Sequence, residues 1–198
     1  MARIGRQIPH FKEINADSIR AEFSTDKLYR YSLDMDYNNS LLRKNPSDRV
    51  CVILKNPSSA DEKKADATIR KVETYVFKHF PNVKTLSILN MFAIRATDVK
   101  EVNQLLSQYD DTYIIGPEND KTIARIFSDA DHIVCAWGNN NGILPKIYES
   151  RIQRILSLLQ TIDTPCWQVM HPKGTKQPLH GLMWGFEYQL CRKFTANS

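Results

Sequence analysis

The chain has 198 residues, of which 42% are hydrophobic and 25% charged; this suits one globular domain that buries its core without staples. A net charge of +5 favours polyanionic partners such as nucleic acid, and it serves simple solubility equally well. The four cysteines, Cys51, Cys135, Cys166 and Cys191, lack C-x-x-C spacing, which argues against zinc and for a reducing, cytoplasmic setting; no apolar run reaches the roughly 18 residues of a membrane span, so no membrane association is expected.

Residues 1–27 are polar, and Arg3, Arg6, His10 and Lys12 precede the first acid, Glu13. They are expected to form a basic N-terminal arm, with 28–198 as a single α/β domain. Residues 29–33 alternate like an edge strand, whereas 49–54 form a nearly continuous apolar run of the buried-strand type, broken by Asn56-Pro57. Residues 66–80 predict a helix, with Ile69, Val72, Val76 and Phe80 on one stripe and Asp66 as N-cap. Residues 84–89 give the next strand, completing a right-handed βαβ unit.

Further along, 99–107 predict a helix opened by Asp98. Residues 112–115 are apolar and ambiguous, and 118–128 predict a helix. A strand follows at 131–136. Residues 144–160 give the clearest helix, with Tyr148, Ile152, Ile155 and Leu159 inward and Lys146, Arg151 and Arg154 on the wet side. Residues 166–170 predict the last strand, and 181–194 a final packed helix. The alternation predicts a three-layer α/β sandwich around a central, mainly parallel sheet of about four strands.

Four polar clusters sit where the apolar strands end, and in a parallel α/β sheet such ends line one crevice. Asn56-Pro57-Ser58-Ser59 offers an amide for a water or carbonyl and two hydroxyls for phosphate; an ordinary capped turn explains it equally well. Asn90 combines a donor and an acceptor, which suits a nucleobase edge. Phe92 can stack on a base or pack in the core, and Arg95 can grip an anion or pair with Asp98. Arg70, one turn into its helix, faces the site or pairs with Glu73. Trp137-Gly138-Asn139 forms a loop in which the glycine permits close backbone approach. The last cluster is His171-Pro172-Lys173-Gly174-Thr175-Lys176, with Pro178-Leu179-His180 behind it. It is a candidate anion site, and His171 is a candidate donor to a developing oxyanion.

Taken in order, N-P-S-x-A at Asn56, D-x-T-I-R at Asp66, N-x-F-A-x-R-A-T-D at Asn90 and W-G at Trp137 resemble a bacterial and phage domain-of-unknown-function family, number 1643. The resemblance covers roughly residues 28 to 185 and is looser at the GTKQPLH segment from Gly174 to His180. A more distant resemblance is to the uracil-DNA glycosylases, through Asn56-Pro57, Asn90, Trp137-Gly138 and His171-Pro172. It implies a DNA-binding enzyme that extrudes a base and hydrolyses its N-glycosidic bond, with no metal or organic cofactor. Asn56 would position water, Asn90 would read the base and His171 would stabilise the departing base. Lys173, Lys176, Leu179 and His180 would meet nucleic acid, with Pro178-Leu179 as a displaced duplex wedge. Lys55 stands where that family has glycine, and Asn56 stands where its most active branch has aspartate. A non-catalytic nucleic-acid- or protein-binding member of the fold, or an enzyme acting on a free nucleotide, are the competing expectations.

Overall fold

A computed structural model describes residues 7–38, 45–57, 60–95, 99–174 and 176–194. Seven strands form one sheet: β1 (Arg20–Phe23), β2 (Arg30–Asp36), β3 (Asp48–Leu54), β4 (Val83–Asn90), β5 (His132–Cys135), β6 (Cys166–Val169) and β7 (Leu190–Phe194), in the order β1-β2-β4-β3-β5-β6-β7. The sheet is therefore wider than the four strands expected. Those four, β4, β3, β5 and β6, make up its parallel centre. The additions are antiparallel: β1 and β2 flank β4, and β7 flanks β6. Residues 29–33, expected to form an edge strand, lie largely in β2, which is not an edge: β1 covers it, and most of its residues are buried, polar Arg30 and Ser32 among them. The true edge strand β1 alternates between exposed and half-buried residues and writes a weaker pattern.

The helices are α1 (Ala67–His79), α2 (Val99–Gln108), α3 (Asp111–Ile115), α4 (Asn119–Asp129) and α5 (Pro145–Leu159). On one sheet face, Ile69, Val72 and Val76 of α1 pack with Val50, Val52, Leu86 and Ile88. On the other, Val102, Ile114, Ile123, Phe127, Tyr148 and Ile152 of α2 to α5 pack with Cys51, Ile53, Leu89 and Ile133. Successive β3 residues thus enter opposite cores, which is why its apolar run does not alternate. Asp66 caps α1 as its pattern predicts, with its Oδ1 accepting from the Ile69 amide at 2.9 Å. The capping residue expected for α2, Asp98, lies outside the described residues.

One ambiguity is resolved and two expectations are corrected. Residues 112–115 belong to the short helix α3. The final segment, expected to be helical, is a single 3-10 turn (Gly181–Met183) followed by β7. Arg151, expected on the wet face of α5, is buried; its Nε–H donates to the Met91 carbonyl at 2.6 Å and its Nη1 pairs with Asp120. A long cationic side chain on a helix reads as solvated until a carbonyl and a carboxylate prove to face it.

Of the segment expected to be an arm, residues 1–6, with Arg3 and Arg6, lie outside the described residues. The remainder packs onto the domain. Ile8 bridges to Ala65, Ile14 bridges to Tyr37, and β1 completes the sheet edge. His10 Nδ1 pairs with the fully buried Glu73, whose second oxygen accepts from the Phe11 amide at 2.7 Å.

Candidate functional site

The carboxyl ends of β3, β4 and β5 share one edge of the sheet, and β2, being antiparallel to β4, begins there. Asn90 is the last residue of β4. Its backbone is pinned: the Asn119 Nδ2 donates to the carbonyls of Asn90 (3.1 Å) and Met91 (3.0 Å). Its side chain is wholly buried, and neither Oδ1 nor Nδ2 has a hydrogen-bond partner among the described residues. A buried amide left unmatched costs about 1–3 kcal/mol, so the fold carries a penalty here that a ligand with a complementary edge would relieve.

Lys55 follows β3. It is 4% exposed, and its Nζ lies 5.7 Å from the centroid of the Tyr148 ring. Burial pushes its pKa down to about 8. Asn56 beside it is exposed, with its Nδ2 3.5 Å from the Pro57 carbonyl. Pro57 is buried, and Ser58 and Ser59 lie outside the described residues.

Beyond β5, Trp137 is buried and its Nε1–H donates to Gln177 Oε1 at 3.2 Å. Gly138 N–H donates to the Pro178 carbonyl at 2.9 Å, and the Tyr148 hydroxyl donates to the Gly138 carbonyl at 2.6 Å. Gly138 has a φ of 71°, and a Cβ there would stand 2.7 Å from His180 Cβ. Only glycine meets both conditions. This close approach sets His180 beside the carboxyl end of β5. Its Nδ1 accepts from the Leu182 amide at 3.2 Å, so in the neutral ring Nε2 carries the proton. Burial, with help from the Lys55 charge and against that of Asp66, lowers the His180 pKa to about 4. The ring is a neutral donor at physiological pH. Asn139 is exposed just past this contact.

The remaining expected residues are spread more widely. His171 is half-buried, packs edge-on against Tyr188 at 5.4 Å and accepts the Lys173 amide on Nδ1 at 3.1 Å. Lys173 and Lys176 are exposed. Leu179 packs against the α1-side core, and its carbonyl accepts from Trp184 Nε1 at 2.9 Å. Phe92 is enclosed in the opposite core. Arg95 stacks 5.0 Å over Phe23, and Arg70 donates to the carbonyls of Pro9 (2.7 Å) and His10 (2.6 Å), tying down the N-terminal segment. Asn90, Lys55, Gly138 and His180 therefore gather at the strand ends, and Arg70 and Arg95 are engaged elsewhere.

Sequence reasoning missed Arg30, the first residue of β2. Its side chain is fully buried, and burial lowers its pKa to about 10, opposed by the charge of Asp66. The available signal was an arginine inside an otherwise apolar, alternating strand. A separate cleft of about 540 Å³, lined by Tyr29, Tyr109, Tyr113 and Asp120 among others, contains none of the expected site residues. Among the described residues, no group of three His, Cys, Asp or Glu is placed to hold a metal, and no helix is long and apolar enough to cross a membrane.

A family model described as a protein of unknown function (DUF1643) matches residues 30–182. The chain belongs to this family. The DUF1643 match starts at Arg30 and takes in Lys55, Asn90, Gly138 and His180, while β1 and β7 fall outside it. No curated protein and no solved structure matches the chain.

Proposed function

We propose that the crevice recognises a nucleobase, in nucleic acid or in a nucleotide, and that hydrolysis of an N-glycosidic bond is its candidate reaction. One observation carries the reading: Asn90 presents a donor and an acceptor, both buried and both unmatched, at the end of a central strand. A nucleobase edge supplies the complementary pair, which a plain hydrophobe or a lone anion does not. The likeness of Asn56-Pro57, Asn90 and Trp137-Gly138 to the uracil-DNA glycosylases supports the same reading and suggests their layered fold for this chain. In the hydrolysis, water attacks the anomeric carbon, the bond to the base nitrogen breaks, and the base leaves as an anion that needs a hydrogen-bond donor. Exposed Asn56 suits orientation of the water. The neutral Nε2–H of His180 suits the donor role that the sequence suggested for His171.

The test is a panel of labelled single- and double-stranded DNA carrying uracil, hypoxanthine or mismatches, scored for base release and, by gel shift, for binding. Base release that Asn90→Ala abolishes supports the enzyme. Binding without release supports a reader, a role that fits an amide rather than a carboxylate at position 56. The absence of both release and binding, on DNA and on free nucleotides alike, overturns the reading.

A further inference from the structure

Arg30 begins β2 at the carboxyl end of β4: Ser32, two residues on, pairs with Leu89, and the Arg30 amide donates to the Ala93 carbonyl at 3.0 Å. Arg30 Nη1 donates to the Ala60 carbonyl at 2.6 Å, which fixes the plane of the guanidinium. Nε and Nη2 are buried with no hydrogen-bond acceptor among the described residues. Those two nitrogens form the edge that grips two oxygens of one carboxylate or phosphate in parallel. Asp66, the acid whose charge bears most on Arg30, already accepts the Ile69 amide as the cap of α1. On the far side of β4, Lys55 is a second buried cation for which the described residues supply no carboxylate partner. A buried cation without a partner is among the costliest features a fold can hold. Here two cations flank an unmatched amide.

We propose that the Nε–Nη2 edge of Arg30 is an oxyanion subsite, and that it holds the phosphate of a nucleotide whose base meets Asn90. This rests on the nucleobase reading and deepens it: the ligand carries its anion into the site. Lys55 adds positive potential at the same sheet edge. Asn90 Oδ1 requires a donor from the ligand, so a bare anion would leave half the site unmatched.

The test measures thermal shift and calorimetric affinity with inorganic phosphate, acetate, nucleosides and nucleoside 5′-monophosphates. It uses the full chain and the variants Arg30→Met, Arg30→Lys and Lys55→Gln. The expected result is that phosphate raises the melting temperature and that a monophosphate binds about tenfold or more tightly than its nucleoside. Arg30→Met keeps or raises the ligand-free melting temperature, because it removes an unpaired buried charge, and it loses the phosphate response. Arg30→Lys keeps the charge but not the fork and loses most of the tenfold preference. Lys55→Gln weakens phosphate binding in a chain whose Arg30 is untouched, so the prediction holds even where an Arg30 variant fails to fold. Equal affinity for nucleoside and monophosphate overturns the oxyanion subsite and leaves the nucleobase reading standing. Phosphate binding lost in Arg30→Met, with no preference among bases, keeps the subsite and removes the nucleobase reading. A response to acetate and not to phosphate overturns the nucleotide assignment.

Discussion

Asn90 gives the sharpest residue-scale expectation. A side chain retained only for packing should destabilise when changed; one retained for a ligand should not. Asn90→Leu, which removes both unmatched polar atoms at similar volume, is expected to hold or raise stability by up to about 1–3 kcal/mol in denaturant unfolding while abolishing ligand binding. Gly138→Ala acts through geometry. The added methyl meets His180 Cβ at 2.7 Å on a left-handed backbone, so activity and binding should fall together, and the His180 ring resonances should move in NMR spectra. Lys55 supplies a pH dependence. Its folded pKa of about 8 lies below the ordinary 10.5, so the unfolded chain holds more protons between these values and stability rises with pH across that window. Anion affinity runs the opposite way, falling as pH passes about 8 and Lys55 loses its charge. Titrations of the wild type and of Lys55→Gln check both slopes, and each should flatten in the variant.

At the scale of elements, the N-terminal segment is held on α1 by His10 and Glu73. Burial alone would lower the His10 pKa, but the hydrogen bond and charge of Glu73 outweigh it, and the pKa is raised above 6.5. The stabilisation is therefore fully present below pH 6.5 and lost as pH rises through the raised value. Hydrogen exchange at Phe11 and Ile14 should accelerate over that range, and Glu73→Gln should remove the pH dependence. Glu73→Ala, which leaves the His10 and Phe11 donors unmatched, should cost about 3–5 kcal/mol. Arg151 plays a comparable part for α5, linking the end of β4 to Asp120 on α4; its loss should loosen the same strand end that carries Asn90.

Across the whole molecule, the parallel centre was legible because strands buried on both faces read as unbroken apolar runs, and α1 was legible from its stripe and its cap. Of the flanking strands, β2 was legible from its alternation, though not that β1 would cover its edge; β1 and β7 were not, since a short half-exposed strand writes a weaker pattern and only the partner strand reveals it. The site divides in the same way. The proposed roles of Asn90 and Gly138 could be read because Asn90 ends one apolar strand and Gly138 lies three residues past another. Arg30 showed only as an arginine in an apolar, alternating strand; its place at the edge where β3 and β4 finish depends on the antiparallel placement of β2, which the sequence does not display. The approach of His180 to Gly138, on which its proposed role rests, is a contact that no spacing rule encodes. Exposed Lys173 and Lys176, on a chain of net charge +5, set a further expectation. Affinity for DNA should fall linearly in log–log salt plots, more steeply than affinity for a free nucleotide held at buried Arg30.

The first and last strands of the chain occupy opposite edges of the sheet. Seven strands leave six spacings of about 4.8 Å, so β1 and β7 stand roughly 29 Å apart. Dyes at Arg20 and Gln189 would thus span the sheet's full width and report its opening by energy transfer without touching the crevice.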